Sequence, residues 1–159
     1  MPPTLARGPT VGNVTPMTLT SLTRAEASAR SALLTVERYD IHVDFTGLLE
    51  GDLFRSVSTI SFTCHTPGAT TFVDCAGDVA RATLNGVEID VSAAAAGRLP
   101  LPPLAADNVL VVEASTTNTA ASEGILRTVD PSDGLVYVWT SLEADEARRL
   151  WACFDQPDL

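Results

Sequence analysis

Apolar and polar residues alternate along 36–45, which predicts a half-buried β-strand with one wet face. One face carries the apolar set Tyr39, Ile41, Val43 and Phe45, and the other carries Asp40, His42 and Asp44. A second alternating strand is predicted over 58–64, with Ile60, Phe62 and Cys64 on one face. The chain therefore opens its β-region with two strands that each bury a single side.

Further strands are predicted where β-branched residues cluster between turn signals. They cover 70–75, 79–84, 87–91, 109–117 and 135–140. Asn85-Gly86 joins two of them and is a strong two-residue hairpin signal, because both positions favour positive φ. Segment 98–103 holds three prolines and is expected to be an edge strand or a loop.

Two short helices flank these strands. Thr23 and Glu26 form a capping-box pattern that begins a helix of about ten residues, ending near Leu34. A second helix is predicted from about Ala144 to Trp151, with acidic residues at its start, basic residues at its end and a pairing of Asp145 with Arg149. The fold class predicted is mainly β, an antiparallel β-saddle or sandwich with a short helix at each end.

Residues 1–17 are predicted to be a disordered leader, and the domain is predicted to cover 18–159. Four of the ten prolines fall within the first 16 residues, which show no periodicity. Met17 is an alternative start. There is neither the apolar stretch of a secretory signal nor a run of 18 apolar residues.

The formal net charge of −10 argues against nucleic acid and anionic membranes as partners. Three cysteines at positions 64, 75 and 153 form no CxxC pair, so neither a zinc knuckle nor a redox dithiol is present. Buried free thiols in a reducing cytoplasm are expected, and the protein is predicted to be cytoplasmic.

Candidate catalytic chemistry is sparse. His42 and His65 are the only histidines and do not form HExxH, and no GxSxG elbow or phosphate-binding loop is present. Glu143 remains, at a predicted strand-to-helix junction. It could hold a substrate ammonium by a charge-assisted hydrogen bond, or merely stabilise the first helical turn. Spacing alone favours the second role.

The C-terminal block carries a family resemblance. Its order is Gly134-Leu-Val-Tyr-Val-Trp-Thr-Ser-Leu-Glu143, Ala144-Asp-Glu-Ala-Arg-Arg149 and Cys153-Phe-Asp-Gln-Pro-Asp158. This block resembles the end of the N-terminal domain in zinc-dependent aminopeptidases of the aminopeptidase N family, of the actinobacterial type. The opening segments 22–27 and 34–44 are similar too, so the resemblance extends from about Thr18 to Leu159.

The resemblance implies a β-saddle domain that packs on a thermolysin-like catalytic domain with one zinc. It implies that Glu143 holds the free α-amino group of a peptide, which fixes the first peptide bond over the metal. Ser141 stands where the family commonly has Gln and would border the first substrate pocket. Arg148 and Arg149 are interpreted as helix-end and interdomain salt-bridge residues.

The family's GAMEN segment and HExxH helix lie downstream of the matched region. The resemblance thus implies zinc in the parent enzyme and none bound by this chain, which is expected to be inactive alone. The expected partners are a peptide with a free N-terminus and the missing catalytic domain, which would cover an apolar face around Trp139, Trp151 and Phe154. The alternative is a non-catalytic β-sandwich module for interaction or carbohydrate binding.

Overall fold

A computed structural model describes residues 19–118 and 123–159. One α-helix and nine strands follow one another in these residues: α1 Arg24–Leu33, β1 Leu34–Asp44, β2 Leu53–Cys64, β3 Thr71–Asp74, β4 Asp78–Leu84, β5 Val87–Glu88, β6 Arg98–Leu101, β7 Asp107–Thr117, β8 Gly124–Val129 and β9 Val136–Ser141. Three single 3-10 turns lie at Thr46–Leu48, Val91–Ala93 and Ala147–Arg149. The predicted leader, residues 1–17, lies outside the described residues.

Helix α1 begins with the predicted capping box. The Glu26 N–H donates to Thr23 Oγ1 at 3.2 Å, and the Thr23 N–H donates to Glu26 Oε2 at 2.8 Å. The helix ends at Leu33, because Leu34 adopts extended backbone angles and starts β1 directly. Both predicted boundaries of this helix are confirmed. No helix in the described part of the chain has the length and apolarity needed to cross a membrane.

Five antiparallel strands form the main sheet, in the order β1-β2-β7-β4-β5. Its inner face carries the core, with Ile60 opposite Leu110 in register and both completely buried. Phe62 and Cys64 share this face, so the predicted facing of β2 is confirmed. The Asn85-Gly86 hairpin is confirmed as well, since both residues have positive φ, 53° and 80°.

Two smaller two-stranded sheets complete the β-structure. β3 pairs with β6, the proline-containing segment, which is an edge strand as expected. β8 pairs with β9 as a separate hairpin. β9 was predicted and β8 was not. The mainly β, antiparallel fold class is thereby confirmed.

The predicted C-terminal α-helix is wrong in type and length. Only one 3-10 turn forms, over Ala147–Arg149, because Asp145 has a φ of 62°, which interrupts a right-handed helix before its second turn. The expected Asp145–Arg149 pair is replaced by Asp145–Arg148 at 2.8 Å. The chain here is a tightly bonded loop rather than a helix.

Candidate functional site

The predicted site residues lie where the β8–β9 hairpin returns to the body of the domain. Ser141 is the last residue of β9, is half-buried and pairs in register with Gly124. Glu143 follows after one intervening residue and is exposed. The hairpin is attached beneath this point by Ile125, which is buried with Leu150 in a small apolar cluster.

Glu143 differs from the other carboxylates of the loop. Its backbone N–H donates to Glu146 Oε2 at 3.5 Å, but among the described residues its carboxylate has no hydrogen-bonding or ionic partner. It also stabilises no helix start, since the 3-10 turn begins after Glu146. An exposed carboxylate without a partner can accept hydrogen bonds from an external cation.

Arg148 holds the loop together from inside. Its Nε donates to the Asp145 carbonyl and its Nη2 to Asp145 Oδ2, both at 2.8 Å, while its Nη1 donates to the Thr20 carbonyl at 2.7 Å. Only 4% of the side chain is exposed. The expectation of a helix-end role is therefore wrong, and its ion pair lies within this domain.

The backbone of Arg148 adds a further link. Its N–H donates to Asp155 Oδ2 at 3.0 Å, which ties the loop to the C-terminal segment. Burial raises the pKa of Asp155, and this hydrogen bond opposes the rise. Arg149 pairs with Glu123 at 2.7 Å and lies 3.5 Å from Glu146, so these neighbouring carboxylates are already engaged.

Three residues of the Cys-Phe-Asp-Gln-Pro-Asp segment, Cys153, Phe154 and Gln156, are buried in the domain, whereas Pro157 and Asp158 are exposed. Phe154 is 2% exposed and meets Phe62 edge-on, with ring centroids 5.3 Å apart. Gln156 Oε1 accepts from Arg30 Nε at 2.6 Å. The expectation that Phe154 belongs to an exposed apolar face is therefore wrong, and this motif supports the fold of its own domain.

An exposed apolar face does exist, on the hairpin. Large apolar residues are exposed on both faces of the hairpin: Tyr137 and Trp139, which is 48% exposed, share one face, here called the hairpin face, and Val129 and Val138 lie on the other. Leu135 and Leu142, which flank β9, are exposed as well. Trp151 is only partly buried and packs against the small cluster that holds the hairpin. Large apolar residues exposed together on one strand are typical of a contact surface.

The residues described here do not suit a zinc ion. His42 lies exposed on β1, and the His65 ring lies 3.0 Å from both Thr35 Oγ1 and the Ala32 carbonyl. In residues 19–118 and 123–159 no three potential ligands are grouped. No metal-assisted step can be derived from these side chains.

The cysteines offer no nucleophile. Cys64, Cys75 and Cys153 are buried free thiols, as expected. Burial raises the pKa of Cys75 to about 11, which keeps the thiol neutral and unreactive. What the geometry defines is a β-domain with a hydrogen-bonded polar loop, in which the Glu143 carboxylate has no partner among the described residues, next to an apolar hairpin.

Comparison with known proteins gives this domain a family. The chain is 43% identical over 143 residues to aminopeptidase N of Streptomyces lividans, a match that covers 88% of the chain and 17% of the relative. No family model matches. The chain belongs to the aminopeptidase N family, and it corresponds to part of such a protein.

Solved structures show the same fold. Native yeast LTA4 hydrolase aligns with a TM-score of 0.59 at 19% identity, over 79% of this chain and 21% of that one. A mutant M1 zinc metallopeptidase from Deinococcus radiodurans, bound to the substrate Tyr-Ser-Ala, aligns with 0.56 at 20% identity, over 79% and 30%. The fold is that of the N-terminal domain of M1 peptidases. The chain spans less than a third of each of these proteins.

Proposed function

We propose that this chain is the substrate-gripping N-terminal domain of a zinc aminopeptidase, and that Glu143 binds the free α-amino group of the peptide. The observation that carries the proposal is the state of the loop carboxylates. Asp145 and Glu146 are held by arginines, whereas Glu143 is exposed and has no partner among the described residues. An ammonium group would supply that partner.

Glu143 would act by orienting the peptide. A carboxylate–ammonium contact holds the substrate by its N-terminus, so that the first peptide bond lies at the reacting centre of the complete enzyme. Because a blocked N-terminus has no ammonium group, this contact would favour peptides with a free N-terminus. The peptide bound to the Deinococcus relative supports a peptide as the substrate class.

Ser141 is proposed to border the pocket for the first side chain of the substrate. It is the last residue of β9 and lies two positions before Glu143, so it is close in the chain to the proposed ammonium-binding carboxylate. A serine is short and leaves space in that pocket. We expect Ser141→Gln to shift the preference toward smaller first residues.

The zinc and the water that it activates belong, in this proposal, to a catalytic domain that packs on the hairpin face. The chain alone would then bind no zinc and release no product. A cytoplasmic location is part of the same proposal, because buried free thiols suit a reducing compartment. Neither nucleic acid nor membrane is proposed as a partner.

The test compares Glu143→Gln with wild type in the full-length gene product, using an aminoacyl chromogenic substrate. A hydrogen bond to a charged group contributes about 1.5–3 kcal/mol, so kcat/KM should fall about 10- to 100-fold. Glu37→Gln, an exposed glutamate on β1 whose carboxylate, like that of Glu143, has no partner among the described residues, is the matched control and should leave kcat/KM unchanged. Equal activity of wild type and Glu143→Gln would contradict the role of Glu143.

The chain alone tests the second half of the proposal. Purified residues 1–159 should release no product from the same substrate, with or without added zinc. Chelator-sensitive release would show that the chain carries its own active site. A gene that ends directly after Leu159, without an HExxH segment, would instead favour the non-catalytic interaction module.

A further inference from the structure

The backbone turn after Glu143 has an unusual conformation. Asp145 has a φ of 62°, in the left-handed region that residues with a side chain seldom adopt, although aspartate and asparagine tolerate it best. The turn reverses the chain two residues after Glu143. The direction in which the Glu143 side chain leaves the domain therefore depends on how firmly Asp145 is held.

One guanidinium holds that turn at two points. Arg148 donates from Nε to the Asp145 carbonyl and from Nη2 to Asp145 Oδ2, so backbone and side chain of the same residue are fixed together. Such planar two-point contact is specific to arginine, because a lysine ammonium cannot reproduce the fork. The left-handed conformation is thus maintained by Arg148.

The guanidinium is itself anchored to the body of the domain. Nη1 donates to the Thr20 carbonyl before α1, and the Arg148 N–H donates to Asp155 in the C-terminal segment. Arg148 is almost completely buried, whereas the only hydrogen bond of Glu143 within residues 19–118 and 123–159 is the long 3.5 Å contact of its N–H with Glu146. The backbone of the turn, which Arg148 anchors to the body of the domain, therefore fixes the position of Glu143.

We infer that Arg148 and Asp145 are positioning residues, which set the direction of the Glu143 carboxylate toward the substrate ammonium. This inference rests on the proposed function of Glu143. It differs from a purely structural role in one respect: loosening the turn should matter to the substrate only while Glu143 is present.

A double-mutant cycle in the full-length enzyme tests this. KM and kcat for an aminoacyl chromogenic substrate are measured for Arg148→Lys in the wild-type background and in a Glu143→Ala background. Since small misplacements of a binding group are costly, we expect KM to rise about fivefold or more with Glu143 present. In the Glu143→Ala background the same change should alter KM by less than about twofold.

Arg38→Lys is the matched control, because Arg38 is an exposed arginine on β1 that pairs with Asp40 far along the chain from the loop. It should leave KM unchanged in both backgrounds. Should Arg148→Lys fail to fold, Asp145→Asn takes its place, since asparagine keeps the size and the tolerance of positive φ but loses the charged contact.

The outcomes are distinguishable. An equal rise in KM in both backgrounds would overturn the positioning role and leave the proposed function of Glu143 intact. No effect of Glu143→Ala on KM would overturn the proposed function and the inference together. A rise confined to the background that retains Glu143 supports both.

Discussion

Cys153 and Asp74 form a single antiparallel bridge, in which the N–H of each donates to the carbonyl of the other, at 3.0 and 2.9 Å. The C-terminal segment thereby extends the β3–β6 sheet by one short pairing. Below the bridge, Asp74 Oδ2 accepts from Arg30 Nη1 at 2.7 Å and from the Asp155 N–H at 3.2 Å. Helix α1, β3 and the C-terminal segment thus meet at one buried carboxylate.

Removing that carboxylate should destabilise the domain strongly. Asp74 and Arg30 are each 2% exposed in their side chains, and breaking a buried pair leaves one charge without compensation. We expect Asp74→Ala to lower the free energy of unfolding by about 3–5 kcal/mol. Chemical denaturation of residues 19–159 measures this change.

The control for Asp74→Ala is Asp40→Ala, whose carboxylate pairs with Arg38 at the surface at the same distance of 2.7 Å. Solvent screens such a pair, so little change is expected. Similar losses for the two variants would show that burial does not determine the contribution of these ion pairs.

Phe154→Ala should be a core mutation, although the resemblance placed this residue on an outer face. Its ring is buried and packs edge-on against Phe62. Loss of a buried phenylalanine costs about 3–5 kcal/mol. Trp139→Ala, on the hairpin face, should cost less than about 1 kcal/mol, and thermal unfolding of both variants compares them. A larger loss for Trp139→Ala would reverse this assignment.

Gly86→Ala tests the backbone of the Asn85-Gly86 turn. A Cβ there would meet no atom within 4 Å, so the cost is that of a positive φ alone. We expect a loss of about 1–2 kcal/mol in the free energy of unfolding. Gly51→Ala, without positive φ and with ordinary contact at 3.4 Å, should be neutral or slightly stabilising. Equal effects at both positions would contradict the turn geometry.

The lowered pKa of Glu26 should make the free energy of unfolding depend on pH in the acidic range. Its hydrogen bond with Arg98, together with those with Thr23, lowers its pKa from 4.5 to about 2. A carboxyl whose pKa is lowered on folding contributes stability that is fully present above pH 4.5 and is lost as the pH falls through about 2. Glu26→Gln should therefore be less stable than wild type at pH 7, with a difference that shrinks across this window.

Urea unfolding at several pH values measures that difference. Glu37→Gln, an exposed glutamate of β1, serves as the control and should show no such trend. A Glu26→Gln difference that stays constant down to pH 2 would mean that its charge does not stabilise the folded state.

The elements that sequence could predict are those with local causes. The capping box of Thr23 and Glu26 and the Asn85-Gly86 turn each depend on residues a few positions apart, and both form as predicted. β8 was missed because Gly124–Val129 lacks alternation and is a strand only through its pairing with β9. Its existence depends on a partner that local patterns do not report.

The candidate site also combines features that local sequence predicts with features that depend on distant residues. Glu143 could be named through a family resemblance, whereas its spacing favoured a helix start that does not exist. Local propensity predicted a helix over 144–151, but the contacts of Arg148 with Thr20 and Asp145 favour a left-handed turn instead. No pattern in the sequence predicts which arginine reaches a carbonyl more than a hundred positions away.

The bridge between Cys153 and Asp74 also determines when, during synthesis on the ribosome, the domain can complete its folding. Arg30 and Asp74 emerge early, but two of their hydrogen-bond partners, Gln156 and the Asp155 N–H, are synthesised near the end of the domain. The nascent domain therefore cannot complete its buried ionic centre until about residue 156 has left the exit tunnel. Folding of this domain is therefore completed only after residues 155 and 156 have been synthesised and can bind Arg30 and Asp74.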